Sequence, residues 1–356
     1  MNSTINNIDF QGKNFYIGLD VHKKNWSVTI RTQNVKMRTF SMNPNPSELH
    51  HHLQKNYPGG NYYTVYEAGF CGFWIHRQLE ALGIHNIVIN PADVPTTNKE
   101  KRTKRDHVDS AKLARELANG SLEAIYVPDP LSEAFRSLVR LRHKQISHRT
   151  RIRNRIKSYL HFLGINCPKD VSERWSLEYM DWLKNLSFPY PCNDDYLGSC
   201  LQDMEYTQQQ IKKTENQIKV YVQQEPIQSI INKYLMSVPG IGFIIAVSLY
   251  AELIDINRFP NFNNLASYIG LVPDTYATGD KERILGITQR KNRHLRQYLI
   301  EAAWIAVEHD PALLLAFEQL AGRMKKQEAI VRIAKKLLNR IYHVWKNKQE
   351  YVKAVV

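Results

Sequence analysis

The stretch Phe15-Tyr16-Ile17-Gly18-Leu19-Asp20 reads as an apolar strand that ends on an acid. A carboxylate at the end of a buried strand is costly unless something positive compensates it. The pattern returns in Thr64-Val65-Tyr66-Glu67. Asp106 and Asp109 then stand three apart where a helix begins, so both side chains leave the same face. Strand ends do carry acids, and the first turn of a helix favours them in its own right. Brought together, however, the four would form a concentration of negative charge that calls for divalent cations. Mg2+ held by carboxylates suits phosphate chemistry, so the combination points to metal-dependent cutting or joining of nucleic acid.

Outward from these acids, the first 125 residues alternate strand and helix patterns. Phe15–Asp20 and Trp26–Arg31 read as a hairpin, with a third strand near Lys36–Ser41. Helix Pro46–Gln54, strand Tyr62–Glu67, helix Phe73–Leu82, strand Ile87–Asn90 and helix Asp106–Ala118 follow. The spacing predicts a mixed sheet flanked by helices, an α/β domain over 1–125. Pro91–Arg105 reads as a loop, and its Lys101, Arg102, Lys104 and Arg105 form a basic run. His22 and Lys23, after Asp20, suit either phosphate contact or an ordinary loop.

The pattern changes from Leu131 to Leu163, where apolar residues recur at helical spacing with nine bases between them and the single acid Glu133. A second helix, Leu201–Val222, has a seam of alternating three and four spacing with polar breaks at Gln208 and Glu215. These two predict an antiparallel coiled-coil or dimerisation arm within 126–230. The lopsided charge favours nucleic-acid contact over a merely solvated face, with Arg140, Arg149 and Arg153 as candidates. Residues 231–356 read as a largely helical C-terminal domain. Its Val238-Pro239-Gly240-Ile241-Gly242 resembles the turn of a helix-hairpin-helix module, though a Pro-Gly turn between helices is the plainer reading. Trp304 and Trp345 are expected in the core.

The whole chain of 356 residues carries a formal charge of +14. That excess favours a polyanionic partner, because each phosphate neutralised releases counterions. Cys71, Cys167, Cys192 and Cys200 are scattered, which supports neither a zinc site nor a disulfide framework. The polar N-terminus and the shortness of the longest apolar run, Phe243–Leu253, predict a soluble cytoplasmic protein without a membrane span.

In the segment Gly270–Arg296, Thr278 precedes Gly279 ahead of a basic helix. A hydroxyl so placed suits a nucleophile approaching a phosphodiester, although Thr-Gly is also an ordinary turn. Together with Gly18-Leu19-Asp20-Val21-His22-Lys23, Tyr66-Glu67-Ala68-Gly69, Asp106-x-x-Asp109-Ser110-Ala111 and the Val238–Gly242 turn, this segment resembles the transposases of insertion-sequence family 110. These are DEDD recombinases guided by a bridge RNA. The resemblance implies a ribonuclease-H-like N-terminal domain similar to Holliday-junction resolvases, a coiled-coil arm and a C-terminal transposase domain. It implies that Asp20, Glu67, Asp106 and Asp109 hold Mg2+. It also implies a composite site, assembled in a tetramer on guide RNA with donor and target DNA duplexes, in the nucleoid of a prokaryotic cell. The family's nucleophile is a serine, and this chain has Thr278 there, with Ala277 before it. Threonine keeps the hydroxyl, but its β-branch restricts rotamers. Arg283, Arg290, Arg293 and Arg296 are the nearby candidates for backbone contacts. Two rival expectations stand beside recombination: a hydrolytic junction endonuclease, and an impaired remnant that only binds nucleic acid.

Overall fold

The computed structural model describes residues 10–95, 106–278 and 281–353, with the side chains of 106, 107 and 275–285 outside that description. The chain forms two compact units, Met1–Val127 and Pro128–Val356.

The first unit is a five-stranded sheet of order β3-β2-β1-β4-β5, built from β1 (Asn14–Val21), β2 (Trp26–Arg31), β3 (Lys36–Met42), β4 (Asn61–Glu67) and β5 (His85–Ile89). The first three strands run antiparallel, while β4 lies parallel to β1 and β5 parallel to β4. Alternation sorts the side chains by face. Phe15, Ile17 and Leu19 of β1 join Trp26, Val28 and Ile30 of β2 in one core with Leu49 and Leu53 of α1 (Pro46–Asn56) and Ile75 and Leu79 of α2 (Trp74–Ala81). The opposite face carries Gly18, Ser27, Thr29 and Val65 beneath α3 (Asp106–Ala118). Helices thus cover both faces of a mixed sheet, as the alternating pattern predicts.

In the second unit, α4 (Pro130–Phe162) and α6 (Pro191–Val222) lie side by side in opposite directions, as Arg142–Glu215, Arg149–Gln208 and Tyr159–Asn193 pair along them. Ile152, Ile156 and Leu160 meet Leu197, Leu201 and Met204 at one end, with Tyr179 and Leu183 of α5 (Leu177–Lys184). At the other end Phe135, Val139, Ile218 and Val222 enter the core of the C-terminal helices. That core is formed by α7 (Phe243–Leu253), α8 (Phe262–Ile269), α9 (Arg293–His309) and α11 (Lys326–Asn347), with α10 (Pro311–Ala321) between the last two. Of the two helices expected from periodicity, α4 lies within one residue of Leu131–Leu163 at each end, while α6 begins ten residues before Leu201.

Two sequence expectations change here. Gly270–Arg296, read only for its Thr-Gly step and basic helix, holds two strands: β6 (Pro273–Thr278) and β7 (Lys281–Ile287) pair antiparallel, with Thr278 opposite Lys281 at their ends. Trp345 is buried, but Trp304 is 41% exposed and lies against Phe317 at the surface. Gly240, at φ +81, turns its Cα toward α9, where a Cβ would run into the Ala302 carbonyl oxygen. That glycine therefore serves close packing of the turn on a helix.

Candidate active site

The carboxylates are brought together by strand parity and by one close helix–sheet approach. Leu19 is opposite Tyr66 in the parallel β1–β4 pair, so Asp20 and Glu67 follow side by side at the carboxyl ends of two adjacent strands. Asp20 shares a face with Gly18, and Glu67 with Val65. That is the face covered by α3, where Val65 packs with Leu113. At Gly18 an added Cβ would strike the Ser110 carbonyl oxygen and stand 2.5 Å from the Ala114 nitrogen. Only glycine lets the helix backbone come so near.

Hydroxyl groups fix the helix once it is there. Ser110 Oγ bonds to Ser27 Oγ at 3.1 Å and to Thr29 Oγ1 at 2.9 Å, and Thr29 continues to Thr39 at 3.0 Å. Ser110, Ser27 and Thr29 are all buried, so this network sets the register of α3 on the sheet. Asp109, next to Ser110, is thereby held over the strand ends.

The result is a cleft of about 180 Å³ lined by Asp20, Glu67 and Asp109 together with His22, Phe70 and Cys71. Asp20 is 21% exposed, and its Oδ2 lies 3.3 Å from His22 Nε2. The donors are carboxylate oxygens, the hard ligands that Mg2+ prefers to sulfur-rich sets. Among the described residues no three His, Cys, Asp or Glu side chains enclose a single point closely enough to hold an ion by themselves. Asp106, one helical turn before Asp109, is the first residue of α3, and its side chain is outside the description. The donor chemistry fits a magnesium site that further ligands such as Asp106, water or phosphate would complete.

The remaining predicted residues fall in the second unit or outside the description. Thr278 is the last residue of β6 and Arg283 lies in β7, both with side chains outside the described part. Lys101, Arg102, Lys104 and Arg105 are outside it entirely. Arg140 donates from Nε and Nη2 to the two oxygens of Glu252 at 2.6 and 2.7 Å. Arg149 donates to Gln208 at 2.6 Å, and Arg153 stacks 5.0 Å from the Trp175 ring. Arg296 caps two carbonyls, those of Gly270 and Thr288. Arg293 opens α9 after the cap Asn292, while Arg290 is exposed just before it.

Sequence reasoning missed Glu252. It is 2% exposed and takes a further hydrogen bond from Asn292 at 3.0 Å. Burial pushes its carboxyl up, and Arg140, Asn292 and Arg136 outweigh that and hold it below the usual range. An acid inside the apolar run Phe243–Leu253 is the signal that something cationic must meet it.

Comparison with known sequences bears directly on this arrangement. Residues 17–165 match the transposase family of DEDD type named for IS110, and residues 232–318 match the "Transposase IS116/IS110/IS902 family". The chain is 32% identical over 297 residues to the putative transposase y4rJ of Sinorhizobium fredii, covering 77% of this chain and 74% of that relative. The chain belongs to the IS110 family of transposases. Other relatives are the transposase for insertion sequence element IS1533 of Leptospira borgpetersenii, 24% identical over 308 residues (81% of this chain, 84% of the relative), and that for IS1111A of Coxiella burnetii, 25% identical over 248 residues (69% and 66%). The first family match contains every predicted carboxylate, and the second contains Thr278. The transposase is therefore an enzyme with a nuclease-type DEDD region, and among its described residues no helix is long and apolar enough to cross a membrane.

Proposed function

We propose that this transposase is an RNA-guided DNA recombinase that works through a covalent protein–DNA link. The observation that carries the reading is the convergence of Asp20, Glu67 and Asp109 on one cleft at the strand ends. Asp106 would join them from the start of α3. Bound Mg2+ would supply positive charge at the scissile phosphate and stabilise the developing oxyanion. The carboxylates orient that site, and His22 beside Asp20 is placed to touch the phosphate backbone. The Thr278 hydroxyl forms an Oγ–P bond as the bridging P–O bond of the strand breaks. The departing strand leaves with the threonine's proton as a free sugar hydroxyl. One phosphoester replaces another, so the bond is conserved and a second strand's hydroxyl can reverse the step without hydrolysis.

The mixed sheet supports the ribonuclease-H-like assignment over 1–125, and the antiparallel pair α4–α6 supports a coiled-coil arm over 126–230. The net charge of +14 supports guide RNA and donor and target DNA as partners, with base pairing reading sequence, in a dimer or a tetramer on DNA. Lys101, Arg102, Lys104, Arg105, Arg283, Arg290 and Arg293 are proposed contacts. An arginine has five N–H groups, so Arg149, Arg153 and Arg296 keep donors for phosphate beyond their internal partners. Arg140 is the weakest of the set, because Glu252 takes its bidentate edge. Such a protein belongs in the prokaryotic cytoplasm, on the nucleoid.

A hydrolytic reading draws on the same cleft, since three carboxylates can also orient water. A denaturing gel separates the two. Protein–DNA adducts that disappear in Thr278→Ala support recombination, whereas undiminished cleavage by that variant supports hydrolysis and overturns the covalent step. A large gain on Thr278→Ser would instead mark this copy as impaired.

A further inference from the structure

A groove of about 750 Å³ lies between α11 and the base of the hairpin that carries Thr278. Its floor is apolar, with Phe262, Val272 and Ile287 half-buried along it. Its wall is cationic: Arg332, Lys335 and Lys336 stand at i, i+3 and i+4 on α11, with Arg332 and Lys336 exposed. Among the described residues, none of these three makes an ion pair, and the acid on the wall is Glu328, one turn before Arg332. A solvated helix face would carry mixed charge over open water. Here an excess of positive charge borders uncovered apolar surface, the combination by which grooves take single-stranded nucleic acid: cations track the backbone while a ring receives an unpaired base.

We propose that this groove holds the DNA strand whose phosphate is attacked, with Arg332, Lys335 and Lys336 on successive phosphates and a base against Phe262. The inference rests on the reading of Thr278 as nucleophile, because β6 and β7 run from the groove to that residue. Thr278 lies five positions after Pro273, about 17 Å along the strand. An unpaired strand is more extended than the roughly 3.4 Å per nucleotide of a duplex, so the grip falls within about five nucleotides of the scissile phosphate. Contact at that distance would keep the cleaved end registered while partners exchange.

The test uses the full chain carrying Thr278→Ala, which removes attack, and a fluorescein-labelled single-stranded DNA 16-mer with its RNA counterpart. Fluorescence anisotropy is read from 50 to 300 mM salt. Adding Arg332→Ala, Lys335→Ala and Lys336→Ala should weaken DNA binding and flatten the log–log salt slope by about 2, as three lost single-strand phosphate contacts require. Phe262→Leu should weaken binding about tenfold while leaving that slope unchanged. Unaltered circular dichroism and melting keep the triple variant interpretable, and Lys335→Gln with Lys336→Gln serves should it fail to fold. An unchanged slope overturns the proposal, and so does a loss confined to the RNA 16-mer. With Thr278 intact, the triple variant should also lose covalent adduct. Absence of adduct in the unmodified protein would instead count against the nucleophile, leaving the DNA-binding result to be judged by itself.

Discussion

Gly18 and Ser110 meet across the β1–α3 interface with no room for a methyl group between them. That approach, with the Ser110 hydroxyl bonded to Ser27 and Thr29, determines where Asp109 stands relative to Asp20. Gly18→Ala must push the helix backbone outward, because what it strikes is main chain and not a flexible side-chain end. Overpacking of this kind costs about 1–3 kcal/mol. The expected result is a lower denaturation midpoint together with loss of strand cleavage. Ser110→Ala leaves two buried hydroxyls short of a partner at a similar cost, roughly 1–3 kcal/mol. Wild-type stability and cleavage in both variants would show that α3 is not positioned this way.

Arg140 is a stability residue of the second unit. Arg140→Ala leaves Glu252 buried with only Asn292 and the charge of Arg136, and because Arg140 is itself 49% exposed the cost falls below the roughly 3–5 kcal/mol of breaking a fully buried pair. Replacing both, as Arg140→Met with Glu252→Leu, should recover part of that loss, since Asn292 then lacks its acceptor. Urea denaturation measures each arm. The sign of the pH dependence follows from the depressed carboxyl. Stability from Glu252 is present above the ordinary glutamate pKa of about 4.3 and lost as pH falls through its lower folded value.

A different window belongs to His143 and His294, whose rings touch with centroids 3.9 Å apart. Burial lowers the pKa of both, and for each the nearby Arg293 adds to the effect, while Glu252 opposes it. The unfolded chain therefore binds protons near pH 6.5 that the folded rings refuse. Stability should rise as pH increases from below toward the ordinary histidine value of about 6.5, and His143→Gln should flatten that rise. A urea midpoint independent of pH across this interval would contradict the assignment.

Much of the first unit was legible because alternation and apolar runs are local properties. Each predicted strand from Phe15 to Asn90 appears within two residues of its observed bounds, and Asp106–Ala118 is a helix as read. Asp20 and Glu67 stand out because acids at the ends of apolar strands conflict with their surroundings, and Asp109 because it lies one helical turn after Asp106 where a helix begins. What sequence could not show was the partner of each group. Gly18 looks like any strand glycine until a helix lies on it. Nine bases on α4 read as a nucleic-acid face, and the sequence does not show that three of them, Arg140, Arg142 and Arg149, meet Glu252, Glu215 and Gln208 from segments 59 to 112 residues away. The β6–β7 hairpin was hidden because glycine and proline at Gly270, Pro273, Gly279 and Gly286 read as loop punctuation.

Magnesium dependence of strand cleavage tests the central claim most directly. Cleavage of a DNA duplex, in the presence of co-purified RNA, is followed across a Mg2+ titration for the unmodified protein, Asp20→Asn, Glu67→Gln and Asp109→Asn. The account predicts cleavage that requires Mg2+ and falls by roughly 10²–10³-fold in each variant, with DNA affinity retained. Cleavage by Asp20→Asn at the unmodified rate and the same Mg2+ dependence would contradict it.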